Sequence, residues 1–136
     1  SGLAGNTMIS NSGKDKLCPF CQSLEVVAEH NSVFAIKDNY PVTKGHHLII
    51  PFSHTENYFS MTDKEREDAT ALLKALKSKL EEGDPTITGF NIGMNSGKTA
   101  GQTVMHSHIH LIPRRKGDTP NPRGGVRGVI PNKMDY

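Results

Sequence analysis

Residues 62–82 constrain the fold more than any other segment, because they carry every local signal of one long helix. Thr62 is a residue type that accepts hydrogen bonds at helix starts, and Glu65 follows three positions later, as in a capping box. Apolar residues then recur at intervals of three and four, which places them on one face. The members of this stripe are Ala69, Leu72, Leu73, Leu76 and Leu80. We interpret the stripe as core packing and expect Gly83 to end the helix.

Short apolar runs on both sides of this helix have the length and composition of β-strands. Residues 26–29 and 33–37 predict a hairpin with His30 and Asn31 in its turn. The other predicted strands are residues 47–51, 89–94 and 103–113. Together these segments predict an α+β fold, in which an antiparallel sheet of about five strands is accompanied by one long helix and a short N-terminal helix.

Length and charge limit the classes of protein to which the chain can belong. Its 136 residues correspond to one domain, and its hydrophobic content of 35% and charged content of 22% are typical of a globular protein. It has no apolar run long enough to span a membrane, and we expect no signal peptide, which makes the cytoplasm the expected location. The net charge of +2 is too small to indicate nucleic-acid binding.

Composition divides the chain into four segments. Residues 1–7 look like a remnant of an expression vector before a natural Met8, and residues 8–17 are expected to be flexible. Residues 18–118 form the predicted domain, and residues 119–136 are rich in Gly, Pro and Arg and are expected to be irregular. The basic residues near this end are either a solvated tail or an arm that contacts phosphate. They are Arg114, Arg115, Lys116, Arg123, Arg127 and Lys133.

Three histidines stand at alternating positions, as His106, His108 and His110. On the predicted strand they project from one face, because side chains two residues apart share a side. Packing explains such a row poorly, since imidazoles are rarely buried without partners. The row suits either metal binding by neutral imidazoles or attack on an electrophile by a ring nitrogen. His108 is the favoured nucleophile, because one neighbour can orient its ring while the other assists the leaving group.

Cys18 and Cys21 form a second candidate for chemistry, with the spacing of a two-thiolate clip. This spacing by itself fits a metal site, a redox pair or a disulfide. Metal binding is favoured for a cytosolic chain with only these two cysteines, because disulfides rarely persist there. A closed tetrahedral site needs two more ligands.

The residues around the three histidines resemble the signature of the histidine triad (HIT) family. Residues 101–112 read Gly-Gln-Thr-Val-Met-His-Ser-His-Ile-His-Leu-Ile, and they depart from the family pattern only at Ser107, where an apolar residue is usual. The upstream segments that also resemble the family are residues 18–21, 35–41 and 45–51. The resemblance covers residues 18–118, and the run after the triad is similar to the bacterial branch that hydrolyses dinucleoside polyphosphates.

The resemblance implies a HIT-like fold and an enzyme that hydrolyses or transfers nucleoside phosphates. HIT proteins pass a nucleotidyl-histidine intermediate to water or another acceptor, so His108 would be the nucleophile and His110 would hydrogen-bond the α-phosphate and the leaving group. The implied substrate contacts are Asp38 for the ribose, His46, Asn95, Gly101, Gln102 and Thr103 for phosphate, and Phe20 and Ile36 for the base. Taken alone, Asp38 is equally explained as a turn residue, and Phe20 and Ile36 as core residues.

The resemblance also supplies the two missing metal ligands. Some HIT relatives, and the related galactose-phosphate uridylyltransferases, hold zinc with two cysteines, one histidine and the first histidine of the triad. The matching set in this chain is Cys18, Cys21, His54 and His106, with His30 and His47 as reserve ligands. Four protein ligands leave no open coordination position, so a Zn²⁺ ion here would be structural.

Three functions stay open at this point. The first is hydrolysis of a dinucleoside polyphosphate at its α-phosphorus, and the second is cleavage of a nucleoside phosphoramidate, which shares His108 and differs in the leaving group. The third is nucleotide or metal binding without catalysis, which the intact His108 and His110 disfavour. The resemblance further implies a homodimer with a nucleotide partner, adenine being the expected base. No membrane or nucleic-acid partner is expected, because nucleic-acid-processing relatives need additional domains.

Overall fold

The computed structural model describes residues 7–9 and 17–136. Residues 1–6 of the predicted vector remnant and residues 10–16 of the predicted flexible segment therefore lie outside the described residues, whereas residues 7–9 form a strand. The strands are β1 (Thr7–Ile9), β2 (Leu24–Val26), β3 (Ala28–His30), β4 (Val33–Lys37), β5 (His47–Pro51), β6 (Ile87–Gly93) and β7 (Ile109–Arg115), and the α-helix is α1 (Asp63–Gly83). Single 3-10 turns lie at Pro19–Cys21, Tyr58–Ser60, Lys98–Ala100, Gly125–Val129 and Pro131–Lys133.

Five of these strands form one antiparallel sheet in the order β3-β4-β5-β7-β6, and β1 pairs separately with β2. The α+β prediction of an antiparallel five-stranded sheet with one long helix is confirmed. The short N-terminal helix is the 3-10 turn at Pro19–Cys21. The strand β1 was not predicted from the sequence.

The long helix begins as its sequence predicts. Thr62 accepts a hydrogen bond from the Glu65 backbone N–H, and the Glu65 carboxylate accepts one from the Thr62 N–H, which completes the capping box. The predicted apolar stripe is buried at Ala69, Leu72 and Leu76. Gly83 is the last helical residue rather than the terminator, because the N–H of the following Asp84 still donates to the Leu80 carbonyl.

The two faces of the sheet bury different sets of side chains. Toward α1, the sheet contributes Val33, Ala35, Ile49, Ile109 and Leu111 to the main core. The opposite face carries Phe34, Ile36, Leu48 and Ile50, which pack with Cys18, Phe20 and Cys21. Alternation along each strand produces this division, since neighbouring residues point to opposite faces.

The hairpin between β3 and β4 was predicted, but its turn is displaced by one residue. His30 pairs with Val33, so Asn31 and Ser32 form the turn and His30 ends the strand. Asn31 has φ 51°, a left-handed conformation that asparagine tolerates better than most residues.

Strand β7 begins six residues later than predicted, which changes the position of the histidines. Its pairing with β5 starts at Ile109, so His110 lies on the strand while His106 and His108 precede it. The earlier segment makes other contacts, because the Ser107 N–H donates to the Thr55 carbonyl at 2.6 Å. The prediction that all three histidines share one strand face is therefore wrong. Within the described part of the chain, no helix has the length and apolarity needed to cross a membrane.

Candidate active site

The orientation of His108 is fixed by a contact with the backbone carbonyl of His106. Its Nδ1 lies 2.8 Å from the His106 carbonyl oxygen, and because a carbonyl only accepts, Nδ1 carries the proton. The lone pair of the neutral ring is then on Nε2, the nitrogen that can attack an electrophile. The ring packs against Phe20 at a centroid distance of 5.1 Å and against His110 at 5.3 Å.

A second chain of hydrogen bonds fixes the tautomer of His110. The Val42 N–H donates to His46 Nδ1 at 3.0 Å, so the proton of a neutral His46 is on Nε2. His46 Nε2 lies 2.9 Å from His110 Nδ1, which therefore accepts. A neutral His110 then carries its own proton on Nε2, where it can donate. The pair of triad rings thus offers one nucleophilic nitrogen on His108 and one N–H donor on His110.

Burial keeps His46 and His110 neutral. Desolvation lowers the pKa of His46, which is 3% exposed, and the nearby Asp38 carboxylate opposes this effect only in part. Desolvation also lowers the pKa of His110, with further lowering by the His108 and His46 rings. Asp38 Oδ2 lies 3.4 Å from His46 Nε2 and 4.0 Å from His110 Nδ1. Its other oxygen accepts a hydrogen bond from the Tyr40 N–H at 2.8 Å.

Three of the residues predicted to contact phosphate, Asn95, Gly101 and Gln102, lie in the loop between β6 and β7. Gly101 has φ +97°, which favours glycine, and Asn95 is half-buried beside it. The buried Gln102 amide holds the loop together: it accepts from the Gly97 N–H and donates to the carbonyls of Glu56 and Val104. These bonds give Gln102 a structural role in this conformation.

Thr103 and the two residues predicted to contact the base lie in different surroundings. Thr103 is exposed and borders a hollow of about 380 Å³ together with Cys18 and His54, on the cysteine side of the site. Phe20 and Ile36 are buried in the cluster that covers the face opposite α1. Ile36 pairs with Leu48, which pairs in turn with His110, so these side chains form one row across the sheet.

The four predicted metal ligands come together. The ligand atoms of Cys18, Cys21, His54 and His106 all lie within 4.8 Å of one another. Cys21 Sγ is 3.2 Å from His54 Nδ1 and 3.5 Å from His106 Nδ1, and Cys18 Sγ is 3.4 Å from His106 Nδ1. A tetrahedral zinc with Zn–S of about 2.3 Å and Zn–N of about 2.0–2.1 Å separates sulfur from nitrogen by roughly 3.5 Å. The donor set and its spacing therefore fit such an ion.

The orientation of His106 supports the same interpretation. Its Nε2–H donates to the Pro51 carbonyl at 2.8 Å, which leaves the Nδ1 lone pair directed at the two thiols. Such a bond to the second nitrogen is the usual way in which proteins orient a metal-binding histidine. The reserve ligands lie elsewhere: His30 is 3.8 Å from Asp68, and His47 Nδ1 donates to the Gly45 carbonyl at 2.6 Å.

His106 also joins the metal group to the nucleophile. Its ring contacts the thiols, its Nε2–H contacts Pro51, and its backbone carbonyl holds His108 Nδ1. Sequence reasoning missed the backbone groups of this network, namely the Val42 N–H and the Pro51 carbonyl. No sequence pattern could have identified them, since nearly every residue type carries the same backbone N–H and carbonyl groups.

Known proteins resemble this chain in sequence and in fold. Residues 22–117 match the family described as HIT domain. The Protein hit of Bacillus subtilis is 38% identical over 109 residues, which cover 74% of each chain. A crystal structure of a hypothetical histidine triad nucleotide-binding protein from Sulfolobus tokodaii has 33% identity and a TM-score of 0.60, covering 66% of this chain and 60% of that one. A Zn-bound histidine triad family protein from Mycobacterium smegmatis has 34% identity and a TM-score of 0.62, covering 68% and 67%.

Proposed function

The chain belongs to the HIT domain family, and from this premise we propose that it is a nucleotide hydrolase or transferase whose His108 forms a nucleotidyl intermediate. One observation carries the proposal: the His106 carbonyl holds the proton of His108 on Nδ1 and leaves Nε2 as the nucleophile. The adjacent His110 presents the matching donor.

In the first step, His108 Nε2 attacks the α-phosphorus of a nucleoside phosphate. The new N–P bond forms as the bond from phosphorus to the leaving-group oxygen breaks, and His110 Nε2–H donates a hydrogen bond to that oxygen. The nucleotidylated His108 ring is cationic, and its Nδ1–H strengthens the bond to the His106 carbonyl as this charge develops.

In the second step, water or another acceptor attacks the same phosphorus. The P–O bond forms, the N–P bond breaks, and His108 Nε2 regains its lone pair while the proton of the attacking water passes to solvent. Neutral His46 and His110 suit both steps, because His46 Nε2–H can donate only to an unprotonated His110 Nδ1, and the proton of a neutral His110 is then on Nε2, where it can donate.

The proposed substrate is a dinucleoside polyphosphate, with adenine as its base. This choice rests on the resemblance of residues 111–118 to the branch that hydrolyses such compounds. Phe20, whose ring contacts His108, and Ile36 of the same buried cluster are proposed to contact the base, and Asp38 is proposed to hold the ribose through its carboxylate. A nucleotide-binding role is consistent with the similarity to the Sulfolobus tokodaii protein, which is described as a hypothetical histidine triad nucleotide-binding protein.

A Zn²⁺ ion is proposed at Cys18, Cys21, His54 and His106. The four donors fit it in type and spacing, and a related HIT protein is Zn-bound. When bound, the ion ties the N-terminal segment to the start of the triad and supplies no reactive water, because four protein ligands close its coordination shell.

A homodimer is proposed from the resemblance to the HIT family. Within the described chain, β6 leaves one edge of the sheet unpaired.

The first test compares the wild-type protein with His108→Ala on diadenosine tetraphosphate, with products separated by anion-exchange chromatography. We expect AMP and ATP from the wild type and at least about 1,000-fold less from the variant. His30→Ala, which removes a histidine beside Asp68, is the matched control and should behave as wild type. Turnover that survives in His108→Ala would contradict the proposed nucleophile. A wild-type protein without turnover rejects this substrate class, and adenosine phosphoramidate is then the next substrate.

A further inference from the structure

A groove of about 530 Å³ begins at His110 and runs beneath the C-terminal segment. Its floor is formed by β6 and β7, and its roof by residues of the 3-10 turn at Gly125–Val129 and by Met134. Its lining includes Asn91, His110, Ile112, Arg114, Val126 and Val129. Its volume lies within the range of pockets that bind small molecules.

The groove and the proposed base site lie on opposite sides of His110. The register places Ile36, Leu48, His110 and Gly93 in one row from β4 to β6. Along β7, His110, Ile112 and Arg114 share the same face, so the floor extends about 13 Å from the catalytic histidine. A substrate whose α-phosphorus is at His108 and whose proximal base reaches toward Ile36 therefore directs its leaving group toward β6.

The charged side chains of the groove neutralise each other. The Arg114 guanidinium binds the Asp118 carboxylate through Nε at 2.8 Å and Nη2 at 2.9 Å, and Nη1 donates to the side-chain amide oxygen Oδ1 of Asn91 at 2.7 Å. The hydrogen bond from Arg114 holds the pKa of Asp118 well below its usual range. Arg114 and Asp118 are the only Arg, Lys, Asp or Glu residues among the described residues that line this groove, so it offers no unpaired cation to a phosphate chain.

The remaining walls are largely apolar and accessible. Val126 is 64% exposed and Val129 is 76% exposed, and both line the groove together with Ile112. Apolar side chains concentrated along a concave surface indicate a ligand that covers them. Asn91 supplies an amide beside these walls, which suits the polar edge of a flat heterocycle.

We propose that this groove binds the distal nucleoside of the leaving nucleotide, the uncharged part of a dinucleoside polyphosphate. The proposal rests on the proposed function and deepens it, because it makes the distal nucleoside a determinant of specificity. The phosphate chain stays at the open end beside His110, and the second base enters between Ile112 and the valines of the roof. The C-terminal segment then selects dinucleoside over mononucleoside substrates.

The kinetic test compares diadenosine tetraphosphate with adenosine 5′-tetraphosphate, which lacks only the distal nucleoside. We expect the wild-type kcat/KM to be at least about 10-fold higher for diadenosine tetraphosphate, because burial of part of the distal base stabilises the complex by about that factor. In the double variant Val126→Asn with Val129→Asn this ratio should fall toward one, whereas Phe59→Asn, an equally exposed site outside the groove, should retain it. Equal cleavage of both compounds by the wild type overturns the groove proposal and leaves the proposed hydrolase intact.

A binding experiment tests the groove directly, even if neither compound is cleaved. His108→Ala protein with methyl-labelled valines is titrated with diadenosine tetraphosphate and, separately, with AMP. We expect methyl shifts at Val126 and Val129 with the dinucleotide only. Shifts that are absent from both valines overturn the proposal whatever the activity.

Discussion

His46 is buried behind His110 rather than placed beside an open phosphate site. Its two nitrogens have separate partners, since Nδ1 accepts from the Val42 N–H and Nε2 lies against His110 Nδ1. At 3% exposure it has little surface left for substrate. The role that this geometry supports is positioning: His46 holds His110 in the tautomer that donates from Nε2, and it acts on the reaction only through that ring.

Replacement of His46 should therefore affect turnover more than substrate binding. In His46→Phe we expect kcat to fall about 10- to 100-fold with KM changed less than about threefold, because an orienting partner of this kind is lost. His46→Gln should recover part of the activity, since its amide can donate to His110 Nδ1. Steady-state kinetics and the ¹⁵N shifts of His110 measure both effects. An unchanged His110 tautomer in His46→Phe would contradict the positioning role.

At the scale of elements, two local attachments hold the sheet to its surroundings. The β3–β4 turn is tied to α1 by Asp68, whose buried carboxylate accepts hydrogen bonds from the Ser32 hydroxyl at 2.5 Å, the Ser32 N–H at 3.2 Å and the Asn31 amide at 3.3 Å. The Ser32 hydroxyl and the Lys64 ammonium hold the pKa of Asp68 well below its usual range. The second attachment is the Cys/His group, which ties the N-terminal turn to the segment before β7.

Loss of the Asp68 carboxylate should destabilise the fold. We expect Asp68→Ala to lower the free energy of unfolding by about 2–3 kcal/mol, because the half-buried Ser32 donors and the Asn31 amide lose a buried, charged acceptor. Urea denaturation at pH 7.5 measures the change. Glu67→Ala, one residue away on the exposed side of α1, is the matched control and should change stability by less than about 0.5 kcal/mol. Equal effects of the two variants would show that the attachment is not specific.

Loss of the proposed metal group should destabilise the N-terminal attachment. In Cys21→Ser we expect bound zinc to fall from about one ion per chain to near zero and Tm to decrease by at least about 5 °C, because metal binding contributes to folding free energy. Elemental analysis and thermal denaturation measure both quantities. Ser23→Ala, an exposed neighbour without a ligand atom in the group, should retain the ion. A purified wild-type protein that contains no zinc and is insensitive to a chelator would contradict the assignment.

For the molecule as a whole, the sheet has the main hydrophobic core on one face and the candidate active site on the other. The face toward α1 carries the main core, and the opposite face carries the row from Ile36 to His110 together with the Cys/His group. Both faces contain buried neutral histidines. His47 lies toward the core, with its pKa lowered by desolvation, and His46 and His110 have lowered pKa values on the other face.

These histidines should make the protein less stable in mild acid. The unfolded chain binds protons near the ordinary pKa of 6.5, whereas the folded chain resists protonation because its values are lowered. The contribution of these histidines to the free energy of unfolding is therefore fully present above pH 6.5. It falls as the pH decreases below 6.5, by up to about 1.4 kcal/mol per pH unit for each such group. Urea denaturation at pH 7.5, 6.5 and 5.5 measures the slope. His47→Gln should reduce that slope, and an unchanged slope would exclude His47 as a contributor.

Sequence and structure agree most closely where the determining contacts are local. The capping box of Thr62 and Glu65 lies within one helical turn, and strands 33–37 and 47–51 have the predicted bounds because their apolar runs are short and uninterrupted. The predicted start of β7 was wrong. The alternation of His106 and His108 is compatible with a strand, but the Ser107 N–H donates to the Thr55 carbonyl instead of pairing with β5.

The sequence by itself determined the family, the α+β class and the residue types of both clusters, since side-chain identity and spacing are written directly in the chain. Only the tertiary structure decided how those side chains work. The proton positions on His108 and His110 depend on backbone groups of His106 and Val42, and the groove at His110 depends on the fold of the C-terminal segment over β6. Backbone donors and acceptors are the same for nearly every residue, so their partners follow only from which segments the fold brings together.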